Sequence, residues 1–309
     1  MKFLIAGLGG VGGYFGGLLA KHYEHSDAID VCFYARSENL KAISTNGLLV
    51  KKGEEHFTAK PAMVSNNAVD FGKVDILIIA TKSYDLHSIL NELEICVGEN
   101  TIIIPLLNGV DHHQYIQTKF PNNTVLNACV YIVSRLTKPG LVENIGNIES
   151  LYFGIDKAGD SSFQYIEKIF TDAGIDAHYS DSISSIIWEK YIFLSPIASI
   201  TSCYNKSIGE ILEDELLSEK LFQLNKEVYQ LAQAKNITLP QDILEKTKAK
   251  YHKLPYDTTS SMHADFKNKK PFTEVQSLTQ YVIAESKKYG LDTPTYDLIP
   301  IPIAIGIDT

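Results

Sequence analysis

Cysteine is scarce and unpatterned in this chain. The four cysteines, at 32, 96, 129 and 203, show no C-x-x-C spacing and no paired histidines nearby. That excludes a disulfide framework and a zinc site as expectations and points to reduced thiols in a cytoplasmic protein. Positive charge is also short: 28 Lys and Arg against 37 Asp and Glu leave a net charge of -9. An anionic polymer or anionic membrane surface is therefore an unsuited partner, and any phosphate site has to be local. Runs able to cross a bilayer are missing too. The uncharged stretch 3–20 holds seven glycines, and the uncharged stretch 191–205 has only fifteen residues and contains Pro196, so neither reads as a span. The stretch 3–20 does not read as a secretory leader either, lacking a charged n-region and a cleavage site, and internal repeats and low-complexity tracts are not seen.

What is present begins at the front. Residues 3–20, FLIAGLGGVGGYFGGLLA, read as a strand, a glycine turn and a helix. Gly7, Gly9 and Gly12 make the G-x-G-x-x-G spacing, with Leu8, Gly10 and Val11 between them. The first glycine permits the turn, the second lets backbone approach a pyrophosphate, and the third packs helix against sheet. The helix N-terminus then offers N–H groups and a positive dipole end to phosphate. The expectation is a dinucleotide.

Further on, IDVCFY at 29–34 reads as the second strand and ends at Ala35-Arg36. NAD-binding chains usually close this strand with an acid that accepts from the ribose 2′-hydroxyl. An arginine can instead grip a 2′-phosphate, so Arg36 favours NADP, against the bland reading of a solvated surface arginine. Residues 47–62 suggest short strands about Lys52-Gly53, an excursion from the main sheet. VDILIIAT at 74–81 suits a strand buried on both faces and delivers Lys82 to its carboxyl end, where open α/β sheets collect ligands. TIIIPLL at 101–107 delivers Asn108-Gly109, a turn or a ligand-side amide. Alternating strands and helices continue to about residue 180, with further strands at 125–133, 149–154 and 175–179; the direction of these later strands is left open. The fold class is α/β, an N-terminal doubly wound Rossmann sheet (1–180) followed by an all-α region (181–309).

In that second region the spacing predicts a buried helix over 182–204, kinked or broken at Pro196. Further helices are expected over 210–235, 240–252 and 271–289, the last ended by Gly290. Lys190 precedes fifteen uncharged residues; it either snorkels to solvent or reaches a cleft as a proton donor. Ser260-Ser261 and Thr273-Glu274 read on their own as helix caps.

Taken together, GLGGVG at 7, the basic residue ending strand two, TK at 81, NG at 108, WEK at 188, SSM at 260 and TE at 273 stand in the order and spacing of one family. The chain resembles the ketopantoate reductase family over essentially its whole length. The resemblance implies a Rossmann domain, a helical domain, and NADPH-dependent reduction of the 2-oxo group of ketopantoate, a step toward pantothenate. It implies Lys190 as general acid, Glu274 as its partner at the substrate, Ser261 on the substrate carboxylate, and Asn108 joining cofactor and substrate. Gly7, Leu8, Gly9, Gly10, Val11, Gly12, Arg36 and Lys82 are implied to hold the cofactor. The family commonly places asparagines four and eight residues after the lysine; here those positions hold Leu194 and Ala198. The polar grip on the substrate is then missing or rebuilt, with Thr201 nearly in phase on the same helix face. This departure motivates a more apolar 2-oxo acid as the alternative substrate, since unpaired polar groups are costly to bury. A noncatalytic NADP-binding sensor is the alternative from another class, and retention of both Lys190 and Glu274 speaks against it. The apolar content of the helical region is compatible with a homodimer. No metal site is expected.

Overall fold

The computed structural model describes residues 1–300. The described residues form two compact units, one made of residues 1–107 and 111–183, the other of 108–110 and 184–300.

In the first unit, five parallel strands form one sheet in the order β5-β2-β1-β6-β7: β1 (Lys2–Ala6), β2 (Asp30–Tyr34), β5 (Met63–Ser65), β6 (Val74–Ile79) and β7 (Val97–Pro105). Its helices are α1 (Gly10–His22), α2 (Ser37–Asn46), α3 (Leu86–Glu92), α4 (His112–Lys119) and α5 (Gln164–Asp172). The apolar runs of β1 and β6 exist because both sheet faces are covered. Phe3 and Ile5 pack with Tyr14, Phe15 and Leu19 of α1, whereas Leu4 and Ala6 pack with Leu86, Ile89 and Leu90 of α3. This is a doubly wound, Rossmann-like sheet.

The later strands do not extend that sheet. β3 (Leu48–Lys52) and β4 (Glu55–Ala59) pair antiparallel about the Lys52-Gly53 turn, and together with β9 (Leu141–Gly154) and β10 (Asp176–Ser180) they form a second sheet in the order β10-β9-β3-β4. β8 (Asn127–Lys138) joins it antiparallel to β9. The alternating burial along β9 explains the difference: one side packs and the other meets solvent. Leu48, Val50, Val142, Leu151 and Phe153 of this sheet share a core with α1, so α1 packs against both sheets.

The second unit is helical: α6 (Ile183–Tyr204, its first residue counted with the first unit), α7 (Ile208–Glu213), α8 (Glu215–Ala234), α9 (Ile243–Lys253), α10 (Ser261–Lys267), α11 (Tyr281–Lys288) and α12 (Pro294–Asp297). α6 runs through Pro196 without a break, so of the kink or break expected there the break does not occur. Proline removes the N–H that would bond to the carbonyl four residues back, which is that of Ile192. Asn225 of α8 supplies the replacement, donating from Nδ2 to Ile192 O at 2.6 Å. Its amide also meets the Tyr251 hydroxyl at 3.0 Å, which in turn donates to Phe193 O at 2.8 Å. The expected single helix over 210–235 is instead two, because Asp214 leaves helical geometry and caps α8 by accepting from the Leu216 and Leu217 N–H groups. No described helix is long and apolar enough to cross a membrane.

Candidate active site

The glycine loop can be tested position by position. Gly7 sits at φ +95°, and a Cβ built there would lie 2.6 Å from the backbone of Ala80 and Thr81, just past β6. A Cβ at Gly12 would lie 2.2 Å from the Gly7 carbonyl oxygen, and one at Gly10 2.2 Å from that of Ser134. These three glycines are required by close packing of the chain on itself. Gly9 differs: nothing stands within 4 Å of its built Cβ. The N-cap of α1 is therefore bare toward open space, the cradle that a pyrophosphate needs. Leu8 is buried, and its carbonyl accepts from Asn39 Nδ2 at 3.2 Å; the other end of that amide accepts from the Gly140 N–H at 2.8 Å. Val11 packs on the α1 core. Asn39 thus ties the loop to the β8–β9 turn, a role invisible in the sequence.

The sheet register brings the basic residues to the same edge. Ala6 pairs with Tyr34 and with Ile79, so Gly7, Arg36 and Lys82 all emerge just beyond neighbouring strand ends. Arg36 stands at the N-cap position of α2 without a side-chain cap bond and pairs with Glu92 of α3. Its guanidinium lies 5.5 Å from the centre of the Tyr34 ring. Tyr34 Oη donates to Glu92 at 2.5 Å and Ser88 Oγ donates to it at 2.9 Å. Partial burial works against the Glu92 charge, but Tyr34, Ser88 and Arg36 outweigh it and hold the carboxyl below its ordinary range. Lys82 opens a single helical turn, its carbonyl accepting from the Asp85 N–H at 3.0 Å.

In the second unit, Lys190 and Asn108 are brought together. Lys190 projects from the first half of α6 and its Nζ donates to Asn108 Oδ1 at 2.8 Å. The ammonium is neither loose nor snorkelling; it is partly buried and aimed by a side-chain amide. Leu194 and Ala198 follow at helical spacing on the same face, the first partly and the second fully buried. Thr201 does not rebuild a polar grip beside them. It is fully buried, and its hydroxyl bonds to Ile197 O at 2.6 Å and to Ser260 Oγ at 3.1 Å.

Ser260 is the N-cap of α10, accepting from the His263 N–H at 3.0 Å, and this leaves Ser261 exposed at the first helical position. Glu274 is buried at 2% exposure. It lies just before a π-helical turn over Gln276–Gln280, and its carbonyl accepts from the Leu278 N–H at 3.0 Å. The next-door face of α6 clamps that turn. Tyr191 Oη donates to Ser277 O at 2.7 Å, Ser195 Oγ to Leu278 O at 2.5 Å, and Ser199 Oγ meets Thr279 Oγ1 at 2.7 Å. The i, i+4, i+8 spacing of these three residues inside an uncharged helix was the signal available for this ladder. It carries the backbone geometry that sets where Glu274 starts. No group of three or more His, Cys, Asp or Glu among the described residues could hold a metal.

Comparison with known proteins agrees with both units. The family model described as ketopantoate reductase PanE/ApbA matches residues 3–157, and that of its C-terminal part matches 182–300. The crystal structure of 2-dehydropantoate 2-reductase from Porphyromonas gingivalis W83 is similar over 97% of each chain, with a TM-score of 0.85 and 31% identity. An uncharacterized oxidoreductase, YkpB, of Bacillus subtilis is 27% identical over 97% of this chain and 96% of its own. The 2-dehydropantoate 2-reductase of Aquifex aeolicus is 26% identical over 97% and 94%. D-mandelate dehydrogenase in a ternary structure with NADH and anilino(oxo)acetate shares the fold at a TM-score of 0.84 and 21% identity, over 97% of this chain and 96% of its own. The chain therefore belongs to the ketopantoate reductase family of NAD(P)H-dependent oxidoreductases.

Proposed function

We propose that this protein reduces ketopantoate to pantoate with NADPH, Lys190 serving as general acid. The observation that carries the reading is the Lys190–Asn108 hydrogen bond at 2.8 Å, in a chain whose two units both match the family. When bound, the reduced nicotinamide supplies the hydride that adds to the 2-oxo carbon. The chain's own residues handle the rest. Lysine has three N–H donors; Asn108 takes one and thereby fixes the direction of the others. An ammonium aimed at the ketone oxygen stabilises the alkoxide as it develops and gives up a proton to form the hydroxyl. Solvent returns that proton to the lysine. Glu274, buried beside the π-helical turn, supplies a fixed carboxylate for orienting substrate and lysine, and Ser261 an exposed hydroxyl for the substrate carboxylate. Gly7 to Gly12 cradle the pyrophosphate, and Arg36 with Lys82 supply the local positive charge that an acidic protein needs at a 2′-phosphate.

A second reading concerns the substrate alone. Leu194 and Ala198 occupy the helix face beyond Lys190, and the hydroxyl of Thr201 is engaged with Ile197 and Ser260. These residues favour an apolar substituent on the 2-oxo acid over a hydroxymethyl group. The fold also serves a D-mandelate dehydrogenase, so the scaffold itself does not oppose an apolar side. The test is NADPH oxidation, followed by its absorbance, against ketopantoate, 2-ketoisovalerate and larger apolar 2-oxo acids. We expect turnover of ketopantoate. A higher kcat/KM for 2-ketoisovalerate would move the assignment to the apolar reading. Tight NADPH binding without turnover of any of them would remove both.

A further inference from the structure

Glu92 is a residue that the proposed reaction does not use, and it stands where the cofactor type is read. We propose that Glu92 is a specificity-determining residue that tempers Arg36, so that the chain accepts NADH as well as NADPH with only a modest preference for the latter. This rests on the reading that Arg36 meets the ribose 2′ position.

Arg36 is not an open guanidinium waiting for an anion. It pairs with the Glu92 carboxylate, which is held in place by two further donors, Tyr34 Oη at 2.5 Å from β2 and Ser88 Oγ at 2.9 Å from one turn earlier on α3. A carboxylate with three donors does not swing aside at little cost. The pair is partly exposed, at 47% for Arg36 and 37% for Glu92, so solvent weakens its field without abolishing it. A 2′-phosphate arriving at Arg36 then shares the guanidinium with a fixed negative charge and is repelled by it. A 2′-hydroxyl meets no such repulsion. It can also donate to a carboxylate, the role that NAD sites give to an acid closing strand two. Here that strand closes with Tyr34-Ala35-Arg36, and the acid comes from α3, 56 positions along the chain from Arg36. One place thus carries the reader for each cofactor.

The test measures dissociation constants of NADPH and NADH by the fluorescence of the bound reduced nicotinamide, with no turnover required. Glu92→Gln keeps the size of the side chain and one oxygen to accept from Tyr34 Oη, and its NH2 donates to the Ser88 hydroxyl, which can accept as well as donate, while the charge is removed. The ratio Kd(NADH)/Kd(NADPH) is expected to rise about fivefold, mainly through tighter NADPH, as befits one screened charge at short range. An unchanged or smaller ratio overturns the proposal, the smaller one meaning that Glu92 only braces Arg36. Arg36→Ala separates this from the parent reading. A selective loss of NADPH in Arg36→Ala with no effect of Glu92→Gln defeats the role of Glu92 alone. An equal loss of both cofactors in Arg36→Ala defeats the reading of Arg36, and the proposal with it.

Discussion

Replacing Lys190 with alanine is expected to lower kcat by about 100- to 10,000-fold, the range typical of losing a positioned general acid and oxyanion donor. Dissociation constants for the cofactor should stay close to the wild-type values, because the glycine loop, Arg36 and Lys82 all lie in the other unit. Pre-steady-state kinetics checks this by separating nicotinamide binding from its oxidation. A kcat within a few-fold of wild type would remove Lys190 from the chemistry. Asn108→Ala should show a smaller loss of the same kind. It leaves the ammonium in place but takes away the oxygen 2.8 Å from Nζ that directs it.

The second large effect is expected at Gly12. A methyl group there would stand 2.2 Å from Gly7 O and 2.8 Å from Ala80 Cβ. The first of those is backbone just past a strand whose Phe3 to Ala6 are fully buried, so it cannot yield without moving β1. Gly12→Ala should lower Tm by several degrees and weaken cofactor binding by at least about 100-fold. Gly9→Ala provides the contrast. Its methyl meets nothing within 4 Å, so Tm should stay near wild type while cofactor affinity still falls, the loss coming from the pyrophosphate alone. Thermal denaturation and cofactor titration on the two variants check this together. If Gly9→Ala binds cofactor as well as wild type, the cradle is not where the pyrophosphate sits.

The strand-turn-helix at residues 2–22 was legible because its signal is local: an apolar strand, then glycines at fixed offsets. The same holds for Arg36 and Lys82, whose place at strand ends follows from β2 and β6 being continuous apolar runs. What stayed hidden depends on partners distant in sequence. The apolar style of residues 125–133 and 149–154 marked strands but left their direction open; β8 pairs antiparallel with β9, and β9 pairs with β3. The helix stays unbroken at Pro196 because Asn225, 33 positions away from the carbonyl it satisfies, replaces the missing donor. Glu92 reaches Arg36 across the fold in the same manner. In contrast, the division of 210–235 at Asp214 was there to be read. Ser207 and Glu210 form a capping box for α7, and Asp214 is an N-cap residue type standing just before an apolar helix. Lys190 and Asn108 were paired by the resemblance to one family, and a 2.8 Å hydrogen bond joins their side chains.

The most direct test of the central claim is isotopic. NADPH carrying deuterium on the transferred position of the nicotinamide is incubated with the protein and ketopantoate, and the acid product is analysed by mass spectrometry. The account predicts a 2-hydroxy acid with one deuterium on carbon 2, formed by the wild type and greatly reduced in Lys190→Ala. Recovery of unreduced 2-oxo acid, or of a hydroxy acid without the deuterium, would contradict it.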